Sequence, residues 1–309
     1  MTEYVLQTDR LTRYFGSKCA VNELSLSVPR GGVFALLGRN GAGKTTAIRM
    51  LMGFLQPTRG TATILGTDCS NLTPAIRGRI AYVAEGHFLY KWMTIAQLEQ
   101  FQKNAALRWN QKLFRAVLDH FALDEKMKAG ALSRGQRAGV CLALALAPEP
   151  ELIILDDPTI GLDPVARRAL VEAMLMVTQN RDRTILFSSH QLDDVERVAD
   201  WIAIMLEGDL RVCCTPDEFR DRLSRWVLKF DDGGPPSLEE IPELVHEMRF
   251  PNELHLTLAN ASPETISKLQ TLATRSCEQL PLNLENGVID YLSDKSRGGS
   301  LLHTMGGLV

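Results

Sequence analysis

Short apolar runs separated by small polar loops set the frame of this chain. Val33–Leu37, Ile80–Val83 and Leu152–Leu155 are apolar throughout, and Thr184–Ser189 is apolar at its centre; each reads as a buried strand. Between residues 4 and 30 two or three strands are expected around the turn Phe15-Gly16-Ser17, with Leu24, Leu26 and Val28 alternating as on a half-buried strand. Thr61–Leu65 is strand-like and Gly66-Thr67-Asp68 is expected to turn. Helical spacing appears from Thr46 to Gly53 and over most of residues 94–129. There Ile95, Leu98, Phe101 and Ala105 share one face, Leu113, Val117, Leu118 and Phe121 share another, and Asn110-Gln111 marks the break. Leu132-Ser133-Arg134-Gly135-Gln136 opens an apolar helix through Ala147, with Ser133 as its N-cap. Gly161-Leu162-Asp163-Pro164 turns into a helix from Val165 to Gln179.

Beyond Thr215-Pro216 the pattern changes. Trp226–Phe230 and Leu254–Leu258 read as strands, and Asp231–Pro236 as a hairpin loop or linker. Helices are expected from Pro263 to about Thr274 and from Asn283 to Leu292. The expectation is a small α+β accessory domain over residues 219–294, with a mobile Gly- and Ser-rich tail over 295–309.

Composition narrows the partners. A chain of 309 residues can hold one large α/β domain and a smaller one. Its net charge of −3 gives no reason to expect nucleic acid or anionic lipid as a direct partner. The six cysteines show no C-x-x-C spacing, so buried, reduced thiols are expected. The N-terminus lacks a signal-peptide pattern, and the longest apolar run, Val140–Ala147, stops at Pro148, too short to span a bilayer. A soluble, cytoplasmic protein is expected, with any membrane contact made through a partner.

The candidate chemistry lies in the loops after the apolar runs. Gly38-Arg39-Asn40-Gly41-Ala42-Gly43-Lys44-Thr45-Thr46 fits the phosphate-binding pattern G-x-x-x-x-G-K-[ST] between a strand and a helix. The glycines let backbone N–H groups converge on an anion, the helix N-terminus adds positive partial charge, Lys44 would reach the β- and γ-phosphates, and Thr45 would ligate Mg²⁺. Leu152–Leu155 ends in Asp156-Asp157: Asp156 suits a water-mediated hold on Mg²⁺, and Asp157 could orient or deprotonate the attacking water. Glu85, just past Ile80–Val83, could contact Mg²⁺ or that water, although a carboxylate so placed is more often a solvated loop residue. His190 follows Thr184–Ser189, beyond the carboxyl end of a strand, where it could contact the γ-phosphate. Tyr14 or Phe15 could stack on a base, although an aromatic there is more commonly a core or edge residue.

The order P-loop, L-S-x-G-Q, D-D-P, G-L-D-P, Ser-Ser-His over roughly residues 4–215 closely resembles the ATP-binding subunits of ABC transporters. The resemblance implies a P-loop NTPase of ABC type over residues 1–218, with a helical subdomain near 88–146, binding ATP and Mg²⁺. It implies Phe15 as the adenine-stacking aromatic, with Tyr14 second, and Gly38 to Thr46 as the phosphate loop. Leu132–Gln136, and within it Ser133, Gly135 and Gln136, would meet the γ-phosphate of ATP held by an opposite subunit. Asp156 would be the Mg²⁺-associated acid, Asp163 the residue crossing the dimer interface, and His190 the switch histidine. Binding would close a dimer, homomeric or heteromeric, and hydrolysis would reopen it.

Two positions depart from the family pattern. Glu85 stands for the usual glutamine, and Asp157 for the usual glutamate. Asp157 is one methylene shorter, and a misplacement near 1 Å can cost on the order of a hundredfold in rate. The expectation is an ATPase subunit driving export through a separate membrane permease, peripheral at the inner face of the cell membrane, with hydrolysis slowed by Asp157. The alternatives are an ATP-sensing clamp with little turnover and a non-transport ABC ATPase.

Overall fold

A computed structural model describes residues 3–178, 182–231, 234–236 and 241–293. The tail expected over 295–309 lies outside the described residues, as do parts of the loop at 231–236. The chain divides into two compact units with the change at Leu210/Arg211, within a strand, whereas motif order alone placed it at 218.

In chain order the first unit contains β1 (Tyr4–Phe15), β2 (Lys18–Pro29), β3 (Gly32–Leu37), α1 (Lys44–Leu51), β4 (Arg59–Ile64), β5 (Thr67–Asp68), α2 (Pro74–Arg77) and β6 (Ile80–Val83). It continues with α3 (Ile95–Ala105), α4 (Gln111–His120), α5 (Arg134–Leu146), β7 (Leu152–Leu155), α6 (Pro164–Thr178), β8 (Thr184–Ser189), α7 (Leu192–Val198), β9 (Trp201–Leu206) and β10 (Asp209–Cys214), the strand in which the division of the chain falls. One sheet runs β2-β1-β4-β5, with the β1–β2, β1–β4 and β4–β5 pairs antiparallel. The other runs β10-β9-β3-β8-β7-β6, and the pairs joining β9, β3, β8, β7 and β6 are parallel. The apolar runs account for this sheet: β7 and β8 are buried at every residue, as a parallel strand covered on both faces must be.

Three local expectations differ from what forms. Thr67-Asp68, expected in a turn, pairs with β4 as a two-residue strand. The helical pattern over 94–129 stops at His120, because Phe121 caps α4 and Ala122 adopts a left-handed backbone at φ +50°. Phe101 and Ala105 are exposed; the buried positions of α3 are Ile95, Leu98 and Glu99. Glu99 is accommodated because Gln111 Nε2 donates to its carboxylate at 2.7 Å.

The second unit continues from β10 with α8 (Pro216–Arg222), β11 (Leu223–Lys229), β12 (Leu244–Arg249), β13 (Glu253–Ala259), α9 (Pro263–Leu272), β14 (Ser276–Leu280) and α10 (Leu284–Ser293). Its antiparallel sheet runs β12-β13-β11-β14. Leu228, Leu254, Leu256, Leu258 and Leu269 form its apolar core. Buried Asp290 on α10 accepts hydrogen bonds from Arg225 on β11 and Thr257 on β13, which pins that helix to the sheet. No described helix is long and apolar enough to cross a membrane.

Candidate active site

Four adjacent parallel strands, β3, β8, β7 and β6, end side by side, and each delivers one piece of the site. Gly38 follows β3, His190 follows β8, Asp156 and Asp157 follow β7, and Glu85 lies two residues past β6. Ligands bind beyond the carboxyl ends of strands in such sheets. A cleft of about 480 Å³ opens there, lined by Asn40 to Thr46, Phe15, Glu85 and Asp157. Phe15 lines it; Tyr14 does not.

The phosphate loop ends on Gly43, the N-cap of α1, with φ +104° and no side-chain cap. A Cβ there would lie 2.3 Å from the Ala20 carbonyl oxygen, so only glycine permits this close approach of loop to β2. The uncapped N–H groups of the first helical turn remain available to an anion. Lys44 is buried, and its ammonium donates to the Gly38 carbonyl at 2.8 Å. Burial pushes its pKa down, opposed by the carboxylates of Asp157, Asp156 and Glu85.

The acids are held from behind. Thr45 Oγ1 donates to Asp156 Oδ1 at 3.0 Å, and Ser188 Oγ donates to the same oxygen at 2.8 Å. Ser188 Oγ also accepts the Asp157 N–H at 2.8 Å. One hydroxyl from β8 therefore fixes both acids that follow β7. The role of Ser188 was not evident from the sequence; its signal was a hydroxyl inside a strand otherwise buried throughout. Lys18 and Ile160, which also line the cleft, gave no such signal.

Asp157 is buried and adopts φ +43°, a sparsely populated conformation of the kind that accumulates at active sites. Its Oδ1 lies 2.9 Å from His190 Nδ1, and its Oδ2 lies 3.8 Å from Lys44 Nζ. A carboxylate, an imidazole and an ammonium thus converge, which suits orienting a water against a phosphoryl group. Thr45 and Asp156 offer the hard oxygen donors that Mg²⁺ takes. Among the described residues no group of three or more His, Cys, Asp or Glu could hold a metal.

Ser133, Gly135, Gln136 and Asp163 do not line this cleft. Ser133 caps α5 in a reciprocal capping box with Gln136, each side chain accepting the other residue's backbone N–H, at 3.1 and 3.0 Å. Asp163 Oδ1 accepts the N–H groups of Val165 and Ala166, both at 3.0 Å, at the start of α6. Gly135 is buried, and a Cβ there would lie 2.3 Å from Ala166 Cβ.

Residues 21–160 match the family model described as ABC transporter. The chain is 35% identical over 214 residues to the bacitracin transport ATP-binding protein BcrA of Enterococcus faecalis, covering 67% of this chain and 68% of that protein. It is 27% identical over 295 residues to the ABC transporter ATP-binding protein YtrB of Bacillus subtilis (strain 168), covering 95% and 100%. A solved ATP-binding subunit of an ABC transporter superposes with a TM-score of 0.62 at 28% identity, over 70% of this chain and 92% of that one.

Proposed function

The chain belongs to the ABC transporter ATP-binding subunits, and we propose that it powers export through a separate membrane permease as one half of an ATP-closed dimer. It is an ATPase subunit that binds ATP. The observation that carries the mechanism is the convergence of Lys44, Asp156, Asp157 and His190 at the ends of adjacent strands. The phosphate loop and Lys44 hold the triphosphate, with Gly38, Arg39, Asn40, Gly41, Ala42, Gly43 and Thr46 shaping the cradle. Thr45 and Asp156 would hold Mg²⁺, which would neutralise phosphate charge, and Glu85, which lines the same cleft as Thr45, would join them. Asp157, oriented by His190, positions the attacking water.

A dimer is supported by what one chain leaves out. Ser133, Gly135, Gln136 and Asp163 carry the signature and G-L-D-P motifs yet lie outside the cleft. A second ATPase subunit brings its own copies to the nucleotide, and the N-terminus of its α5 completes the anion site. The permease would dock beside Glu85. A groove of about 350 Å³ lies there between β6 and α5, lined by Phe88, Leu89 and Leu144, and Phe88, Tyr90 and Trp92 nearby are exposed. Transport is supported by the bacitracin transport ATP-binding protein among the relatives; its outward direction is part of the proposal. In this reading the subunit sits at the inner face of the membrane, held there by the permease.

A second reading, a slow ATP clamp, is favoured by Asp157 alone, whose side chain is one methylene shorter than glutamate. Hydrolysis by the purified protein beside Lys44→Ala, with dimerisation followed by light scattering, separates the two. Turnover lost in Lys44→Ala supports the ATPase cycle. ATP-dependent dimers without turnover support the clamp, and neither activity overturns both.

A further inference from the structure

Phe15 stands at the tip of the β1–β2 hairpin, half-exposed and lining the nucleotide cleft. The guanidinium carbon of Arg13 lies over its ring, 4.8 Å from the centre. A flat ring offers two faces, and here a cation occupies one, attracted by the negative π face. A base can stack only on the other.

The guanidinium is itself braced. Arg13 Nη1 donates to the Gln56 carbonyl at 2.9 Å, in the loop after α1. That loop is fastened to the hairpin twice: the Thr58 N–H donates to the Thr12 carbonyl at 2.7 Å, and the Tyr14 N–H donates to Thr58 Oγ1 at 3.1 Å. Arg13 is not one of the residues lining the cleft. Its route to a bound nucleotide therefore runs through the ring it backs.

We infer that Arg13 is a positioning residue for nucleotide binding: it holds the Phe15 ring in one orientation and presents the opposite face to the base. Pre-setting the ring removes the ordering cost that an exposed aromatic would otherwise incur on binding. The inference rests on Phe15 being the base-stacking residue, and the test separates the two.

The test is a double-mutant cycle on the full chain, using Arg13→Ala, Arg13→Lys, Phe15→Ala and the Arg13→Ala/Phe15→Ala double variant. ATP affinity, KM and kcat are measured for each, with inhibition by inorganic tripolyphosphate as a base-free probe and melting temperature as a check on folding. Arg13→Ala is expected to weaken ATP binding about two- to fivefold, the range of an exposed cation–π contact. The kcat and tripolyphosphate inhibition should stay unchanged, Arg13→Lys should recover part of the loss, and the double variant should bind no worse than Phe15→Ala. Unaltered ATP affinity in Arg13→Ala, beside a clear loss in Phe15→Ala, overturns the inference and leaves the stacking reading intact. So does an additive double variant, or weakened tripolyphosphate inhibition. Unaltered affinity in Phe15→Ala overturns the stacking reading, and the inference with it.

Discussion

The Asp157 carboxylate meets the His190 imidazole at 2.9 Å through Oδ1 and Nδ1. Its second oxygen faces the Lys44 ammonium at 3.8 Å. The acid is therefore already engaged by two groups that a hydrolytic site would need, despite its short reach. Asp157→Asn keeps the shape and removes the charge; turnover should fall at least about a hundredfold, the low end for loss of a general base, with ATP binding retained. Asp157→Glu restores the missing methylene, and its kcat should rise if reach limits the wild type. A steady-state assay beside a nucleotide-binding assay checks both, and a glutamate variant no faster than wild type discards the argument from reach.

Ser188 is the common support of Asp156 and Asp157, donating to one and accepting from the backbone of the other. Ser188→Ala leaves the buried Asp157 N–H without its acceptor, which should cost about 1–3 kcal/mol of stability. It also frees the Asp156 carboxylate to rotate. The expected outcome is weaker Mg²⁺ binding, read as a higher Mg²⁺ concentration at the half-maximal rate of hydrolysis. A variant with unchanged Mg²⁺ titration would show that Thr45 suffices to hold Asp156.

Gly135 belongs to the signature, but its own chain already requires it. A Cβ there collides with Ala166 Cβ on α6, at 2.3 Å, so Gly135→Ala should destabilise the nucleotide-free protein by about 1–3 kcal/mol, as overpacking does. Adding Ala166→Gly removes the opposing atom and should return most of that stability. Urea unfolding of the two variants without nucleotide decides it; if the single variant is as stable as wild type, the packing role is wrong.

The parallel strands were legible because Val33–Leu37, Ile80–Val83, Leu152–Leu155 and Thr184–Ser189 carry their burial in their composition, and their loops carry the chemistry. Motif order likewise singled out loops that line the cleft. Phe101 was misplaced because helical spacing cannot tell an apolar side chain facing a core from one facing outward; here a hydrogen-bonded Glu99 took a buried position. β12 and β14 were passed over because their faces are mixed: only Leu244 and Val245 of β12 are fully buried, and no residue of β14 is. Such strands are defined by the neighbour they pair with, which local pattern does not contain. The role of Ser188 and the brace on Arg13 depend on contacts across tens of residues, Ser188 to Asp156 and Arg13 to Gln56. No local window holds them.

In the second unit, Asp290 is buried with Arg225 and Thr257 as its partners. Removing one member of a buried pair leaves the other charge uncompensated, at a cost of about 3–5 kcal/mol. Asp290→Ala should therefore loosen α10 from the sheet, and hydrogen exchange should rise over β11, β13 and α10 while the Lys44 region keeps its protection. Uniformly raised exchange along the chain would mean that the two units unfold as one.

Glu151 sets an acid limit on the first unit from the end of the sheet opposite the nucleotide cleft. It precedes β7 and accepts from Arg79 Nη2 at 2.9 Å and Arg30 Nη1 at 3.0 Å. The Arg79 hydrogen bond, with Arg30 adding to it against the cost of burial, holds its pKa at about 2, below the ordinary 4.5. A depressed folded-state pKa means that its contribution is complete above the unfolded value and is lost as the pH falls through the folded one. Wild-type stability should then decline between about pH 4.5 and about pH 2. Glu151→Gln should be less stable at neutral pH and show a flatter decline across that window, with ATP affinity at neutral pH unchanged because the residue lies outside the cleft. Urea midpoints taken along the acid range test this, and parallel slopes for the two proteins would show that other carboxylates govern the acid limb.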